Sequence, residues 1–168
     1  MVLAGLAAAP DVEGLFGGAL ALLMLAIAVA DHRHFIIPDR LSGGAFAVGL
    51  LHAATASPQS PLEDAWISLW RGILSAGALL LLRFAYYRLR RREGIGLGDV
   101  KLAGVAGAWL SLPTFVVAVE IAALAALGTY LLQQKMHSRA LRANARLPFG
   151  LFFAPAIWLG WLFETIWT

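Results

Sequence analysis

The chain has 168 residues, 60% of them hydrophobic and only 14% charged, with a mean hydropathy of +0.76; that balance excludes an ordinary soluble domain and points to the bilayer. The formal net charge of +3 is carried by Lys and Arg clusters between apolar stretches, a pattern of membrane-boundary loops and not of a nucleic-acid surface. Cysteine is absent, which removes disulfides, thiolate nucleophiles and Cys-based zinc or iron–sulfur sites.

The first ten residues contain no Lys or Arg, so the first apolar stretch lacks the positive start of a cleavable signal peptide and is expected to be a retained anchor. An all-α polytopic membrane fold with six spans is predicted, each span needing roughly 17 to 25 residues to cross about 30 Å of hydrocarbon. The first three fall at 14–30, 41–56 and 65–82, the third running into an aromatic belt of Phe84, Tyr86 and Tyr87. The apolar stretch 100–133 would make one helix about 50 Å long, too much for a single crossing. Ser111-Leu112-Pro113-Thr114 is therefore read as a turn, dividing it into a short fourth span and a fifth at 114–133. The sixth covers 147–167, with Trp158, Trp161 and Trp167 available for packing or anchoring. Ser and Pro at 57–61 mark an exposed turn.

Orientation follows from the positive loops, which resist translocation. Arg83, Arg88, Arg90, Arg91 and Arg92 form one, and Lys135, Arg139, Arg142 and Arg146 the other. The segment 55–64 carries Glu63 and Asp64 without a cation, and the N-terminal tail has only Asp11 and Glu13. Six spans place both basic loops, and the segment after span one, in the cytoplasm, with N-terminus and C-terminus outside. Small residues at Gly14/Gly18, Gly72/Ala76 and Gly104/Gly107 are expected to permit close helix packing.

Two carboxylates fall at the cytoplasmic boundary. Asp31 ends the first span and opens Asp-His-Arg-His-Phe-Ile-Ile-Pro38-Asp39; Asp99 opens the fourth within Gly96-Leu-Gly98-Asp99-Val-Lys101-Leu. Singly, Asp31 reads as a solvated helix end and Asp99 as a helix cap. Glycines before Asp99 are expected to allow positive φ and close backbone approach to a substrate. Two carboxylates sharing a partly desolvated site do not both ionise easily, so one holds a proton while the other acts as base. Water-mediated amide hydrolysis needs that division of labour, and it requires neither metal nor cofactor.

Taken together, these motifs resemble the type IV prepilin peptidases, particularly the short stand-alone forms of tight-adherence and Caulobacter-type pilus systems, over nearly the whole chain. The first family motif, Asp followed by Pro-Asp or Pro-Asn, is matched by Asp31, Pro38 and Asp39. The GxGD motif is matched by Gly96, Gly98 and Asp99, continuing into Val100, Lys101, Leu102 and then Gly104 and Gly107. A third, Pro-Phe-Gly before the last helix, is matched by Pro148, Phe149 and Gly150. The resemblance implies a GxGD aspartic endopeptidase of the bacterial inner membrane, with Asp31 and Asp99 catalytic. Its implied substrate is a prepilin or pilin-like protein with a basic leader and an apolar stem, cut on the cytoplasmic side, usually after a glycine. Longer relatives carry a Cys-x-x-Cys domain and methylate the new N-terminus. This cysteine-free chain is expected to be a single membrane peptidase domain, 1–168, without a methyltransferase domain.

Other residues suggest lesser roles. Lys101 is suited to bias the carboxylate pair, contact substrate or reach lipid phosphate. His32 and His34 invite a metal reading but lack a third ligand, so no metal is expected; His52 and His137 read as structural or solvated. Glu120, inside span five, needs a partner, and an ion pair with Arg71 is expected. The basic loops fit contact with anionic membrane lipid and not with nucleic acid. Two rival readings stand beside the first. A presenilin-like intramembrane protease would carry Tyr-Asp where this chain has Ala30-Asp31. A catalytically silent assembly factor or small transporter of the same fold is the other, although a transporter repeat with ionisable groups at the midplane is missing.

Overall fold

Along the first helix, the inward face joins glycine and alanine with Leu20, Met24 and Ile27, and the outward face carries other leucines and a valine. Gly14, Gly17, Gly18, Ala21 and Ala28 are buried, whereas Leu15, Leu22, Leu25 and Val29 are exposed. Apolar residues on both faces, with the small ones turned inward, suit a chain whose outer solvent is lipid, where association rests on close backbone packing. A computed structural model describes residues 12–56, 59–91, 94–137 and 148–167, without the side chains of 135–137. Expectations that concern Asp11, Ser57, Pro58, Arg92, Glu93, Arg139, Arg142, Arg146, Leu147 and the side chains of Lys135 and His137 lie outside the described residues.

The described residues form six helices, α1 (Val12–His34), α2 (Asp39–Ala56), α3 (Pro61–Arg90), α4 (Leu97–Trp109), α5 (Leu112–His137) and α6 (Phe149–Trp167). The fold is all-α. Four of the helices, α1, α3, α5 over Leu112–Gln134, and α6, are long and apolar enough to cross a membrane, which makes this a polytopic membrane protein. α2 and α4 do not reach that standard by themselves. The 13 residues of α4 make a rod only about 20 Å long. It is buried at Val100 and from Leu102 to Trp109 and packs against α2, α3 and α6, so its neighbours and not its own surface shield it from lipid.

Small residues set the closest approaches. A Cβ on Gly17 would overlap the Trp161 ring, and the Gly17 carbonyl accepts a hydrogen bond from Trp158 Nε1 at 3.2 Å. Between α3 and α4, a Cβ on Gly72 would lie 3.0 Å from the Gly104 carbonyl oxygen, and one on Gly107 would overlap Ser75. Ser68 Oγ closes the same seam by donating to the Ala108 carbonyl at 2.6 Å.

The expected turn after α4 is tighter than its four-residue signal. Leu110 is extended, Ser111 precedes α5, and Pro113 already lies in the first helical turn, where no intrahelical N–H bond is lost. Ser111 Oγ lies 3.0 Å from Thr114 Oγ1 and accepts from the Thr114 N–H at 3.5 Å, while Glu164 Oε1 on α6 accepts from the Ser111 N–H at 3.0 Å. α3 outlasts its expected end by two turns; its 30 residues span about 45 Å, so Tyr86, Tyr87, Arg88 and Arg90 extend beyond the hydrocarbon thickness.

One expected contact is not made: Arg71 and Glu120 form no ion pair. α3 and α5 barely touch, and Glu120 lies on the exposed surface of α5. Arg71 instead lies near His52, whose ring stacks on Trp109 at 5.0 Å and approaches Glu13 at 3.9 Å.

Candidate active site

Asp31 lies one turn inside α1, not at its end, and it faces inward with 6% exposure. Helix geometry explains the placement: it continues the buried stripe of Met24, Ile27 and Ala28 at spacings of three and four. α1 closes four residues later at Phe35, whose φ of 54° is left-handed and whose N–H returns to the Asp31 carbonyl at 2.9 Å. The chain then runs through Ile36, Ile37 and Pro38, and the Pro38 carbonyl accepts from the N–H groups of Leu41 and Ser42 at 3.1 Å to start α2.

The third motif comes to meet this carboxylate. Asp31 Oδ2 accepts a hydrogen bond from the Leu151 N–H at 3.0 Å, and the Gly150 N–H donates to the same group. Pro148 and Phe149 precede these amides at the start of α6, so Asp31 is seated on the N-terminus of that helix, where free N–H groups attract an anion. Gly150 makes room for it: a Cβ there would lie 2.9 Å from Asp31 Oδ2 and 2.9 Å from Ile37 Cδ1.

Asp99 is the third residue of α4 and half-buried. Its Oδ2 reaches back to accept from the Gly96 N–H at 3.1 Å, the reciprocal half of a capping box, so it caps from inside the helix and not from the cap position itself. The expected positive φ is not found; Gly96 has φ −69°, and no described glycine has a positive φ. What the glycines supply is space. A Cβ on Gly98 would stand 3.1 Å from Ile37 Cβ and Cγ1, and one on Gly96 3.0 Å from Asp99 Oδ2.

Ile37, inside the first motif, is thus the wedge between the second and the third, 5% exposed and packed against both Gly98 and Gly150. Asp31 and Asp99, 68 positions apart, arrive at the same end of the bundle, and the Asp31 charge acts on Asp99. Lys101 does not join them. Two residues along a helix it is turned about 200° from Asp99, and its Nζ pairs with Asp39 Oδ1 at 2.5 Å, tying the first motif to the second. With side-chain exposures of 45% and 78%, that pair contributes about 0–1 kcal/mol. Arg83 Nη1 donates to the Ile95 carbonyl at 2.5 Å and steadies the segment before Gly96. Ile37 and Leu151 escaped the sequence reading, and Arg83 was read only as one charge of a basic loop; the apolar Phe-Ile-Ile run between Asp31 and Pro38 alone hinted at a packed element there. His32 and His34 are exposed, and among the described residues no group of three His, Asp or Glu converges as a metal site.

A sequence that places an Asp on α1 and a Gly-x-Gly-Asp on α4 has counterparts among known proteins. The chain belongs to the type IV leader peptidase family, whose profile matches residues 18–131, a stretch that contains both aspartates and stops short of Pro148-Phe149-Gly150. Among its relatives, leader peptidase HopD of Escherichia coli is 33% identical over 142 residues, covering 84% of this chain and 88% of the relative. The HopD protein of Salmonella typhimurium is 32% identical over 138 residues, covering 82% of this chain and 86% of that one. The prepilin leader peptidase/N-methyltransferase of Dickeya chrysanthemi is 34% identical over 154 residues, which is 91% of this chain but 52% of the relative. No solved structure matches the chain.

Proposed function

We propose that this protein is a membrane-embedded aspartic endopeptidase that removes the basic leader of type IV prepilins or pilin-like proteins, with Asp31 and Asp99 as its catalytic pair. The observation that carries this reading is that two carboxylates from helices far apart in the chain, Asp31 buried and Asp99 half-buried, lie at the same end of the bundle, near enough for the charge of one to act on the other. One carboxylate deprotonates a water while the other protonates the carbonyl oxygen or leaving nitrogen, and the two then exchange roles. The α6 amides hold one oxygen of Asp31 in place, and the Gly96 amide does the same for Asp99, so neither has to be ordered when substrate arrives. The orientation that fits is six crossings in the inner membrane, both chain ends outside and the aspartates at the cytoplasmic face. Arg33, Arg40, Arg83, Arg88 and Arg90 lie at the helix ends near the aspartates, and Glu13, Glu63, Asp64 and Glu164 at the opposite ends.

Asp31→Asn and Asp99→Asn are each expected to lower leader removal from a co-expressed pilin-like precursor by about 10²–10⁴-fold at unchanged protein level. Cleavage retained in either variant would refute the assignment.

A further inference from the structure

A basic leader meets a charge problem at this end of the bundle, because the surface awaiting it is itself basic. Among the described residues only three carboxylates lie there, and two of them are Asp31 and Asp99. The third is Asp39. It opens α2, its side chain is 78% exposed, and its partner is Lys101. We propose that Asp39 is the acceptor for a basic side chain of the leader, and that Lys101 occupies it while no leader is bound; this rests on the leader-peptidase reading.

Position favours the assignment. Asp39 follows Pro38 and Ile37, which packs against both Gly98 and Gly150, so Asp39 lies at the same end of the bundle as the pair without belonging to it. Lys101 ties it directly to the helix that carries Asp99. An extended leader advances about 3.3–3.6 Å per residue, so a Lys or Arg a few positions before the cut bond has the reach to find Asp39 while the bond lies at the aspartates. Strength favours it as well. An ion pair this exposed is a weak strut, and exchanging one ammonium for another leaves Asp39 with a single cationic partner while the displaced Lys101 turns to solvent. Lys101 thereby acts as a placeholder that any cation-bearing leader must displace and a neutral one cannot replace. The two pair members then have opposite effects on leader binding, which a structural bridge would not give.

The test uses one pilin-like precursor with a single lysine in its leader near the cleaved bond, and its Lys→Gln and Lys→Glu forms, with the full-length protein in detergent. Asp39→Asn is expected to raise KM for the lysine leader about tenfold, the worth of one charge-assisted contact, and to leave the glutamine leader unchanged. Lys101→Gln should lower KM for the lysine leader by a few fold, and Asp39→Arg should shift preference to the glutamate leader. Binding of the same three leaders to the Asp99→Asn variant, read by fluorescence anisotropy with and without Asp39→Asn, reports recognition independently of cutting. Asp39-dependent preference for the lysine leader in that assay supports the proposal even where nothing is cleaved, which would count against the peptidase reading alone. If all three leaders bind or are cut equally, or if Asp39→Asn and Lys101→Gln lower kcat alike for every leader, Asp39 is a positioning residue and the proposal is overturned.

Discussion

Gly150→Ala tests the seat of Asp31 with a single methyl group. The new Cβ would stand 2.9 Å from Asp31 Oδ2, 3.1 Å from its Cγ and 2.9 Å from Ile37 Cδ1. Ordinary contact begins near 3.4 Å, so carboxylate and wedge must each retreat by about 0.5 Å. The carboxylate has nowhere to go except off the α6 amides, whose bond from Leu151 is now 3.0 Å and would stretch to the limit of a hydrogen bond. Overpacking of this size costs about 1–3 kcal/mol, and with Asp31 in its proposed role a displacement of a fraction of an ångström is expected to lower turnover by roughly ten- to a hundredfold. The assay is kcat for precursor cleavage at saturating substrate, beside thermal unfolding in the same detergent. Gly128→Ala is the control, because a Cβ there meets nothing within 4 Å and a mid-helix alanine is favourable by roughly 0.5–1 kcal/mol. Turnover within twofold of wild type in Gly150→Ala, at equal stability, would refute the argument that α6 positions Asp31.

Three other outcomes follow from the packing. Gly17→Val should destabilise the bundle by about 1–3 kcal/mol, seen as a lower Tm, because it drives β-branched carbon into Trp161 at the α1–α6 contact. Glu164→Ala should cost about 1–2 kcal/mol by removing the acceptor of the Ser111 N–H at the start of α5, with no direct effect on cleavage chemistry at the other end of the bundle. A double-mutant cycle of Arg71→Ala with Glu120→Ala should give a coupling energy within about 0.5 kcal/mol of zero, since the two side chains do not meet; coupling above 1 kcal/mol would restore the pair.

Hydropathy and helix length made the helices legible, and their ends were less so. Span one was expected to stop at Ala30, but the helix continues past Asp31 because an inward-facing carboxylate with amide partners does not end a helix. The partners that permit this lie 120 residues away, and hydropathy along the chain carries no trace of them. α4 was legible as a short apolar segment, whereas its burial on nearly all sides depends on α2, α3 and α6 together. Gly96 and Gly98 were read for backbone freedom; in the fold they serve close packing against Asp99 and Ile37, because a glycine signal in sequence is the same for both needs. Glu120 and Arg71 were matched by depth in the bilayer alone, a one-dimensional measure that says nothing of the direction in which a side chain leaves its helix.

The seating of Asp31 on the Gly150 and Leu151 amides also fixes an order of events in biosynthesis. The carboxylate of Asp31 emerges from the ribosome 120 residues before the Leu151 donor that holds it. Until α6 has been made the nascent chain therefore lacks the seat of Asp31, and insertion of that helix is the step that completes it. A product shortened before Pro148 would keep both aspartates and both glycines of the second motif, and still leave Asp31 without its donors.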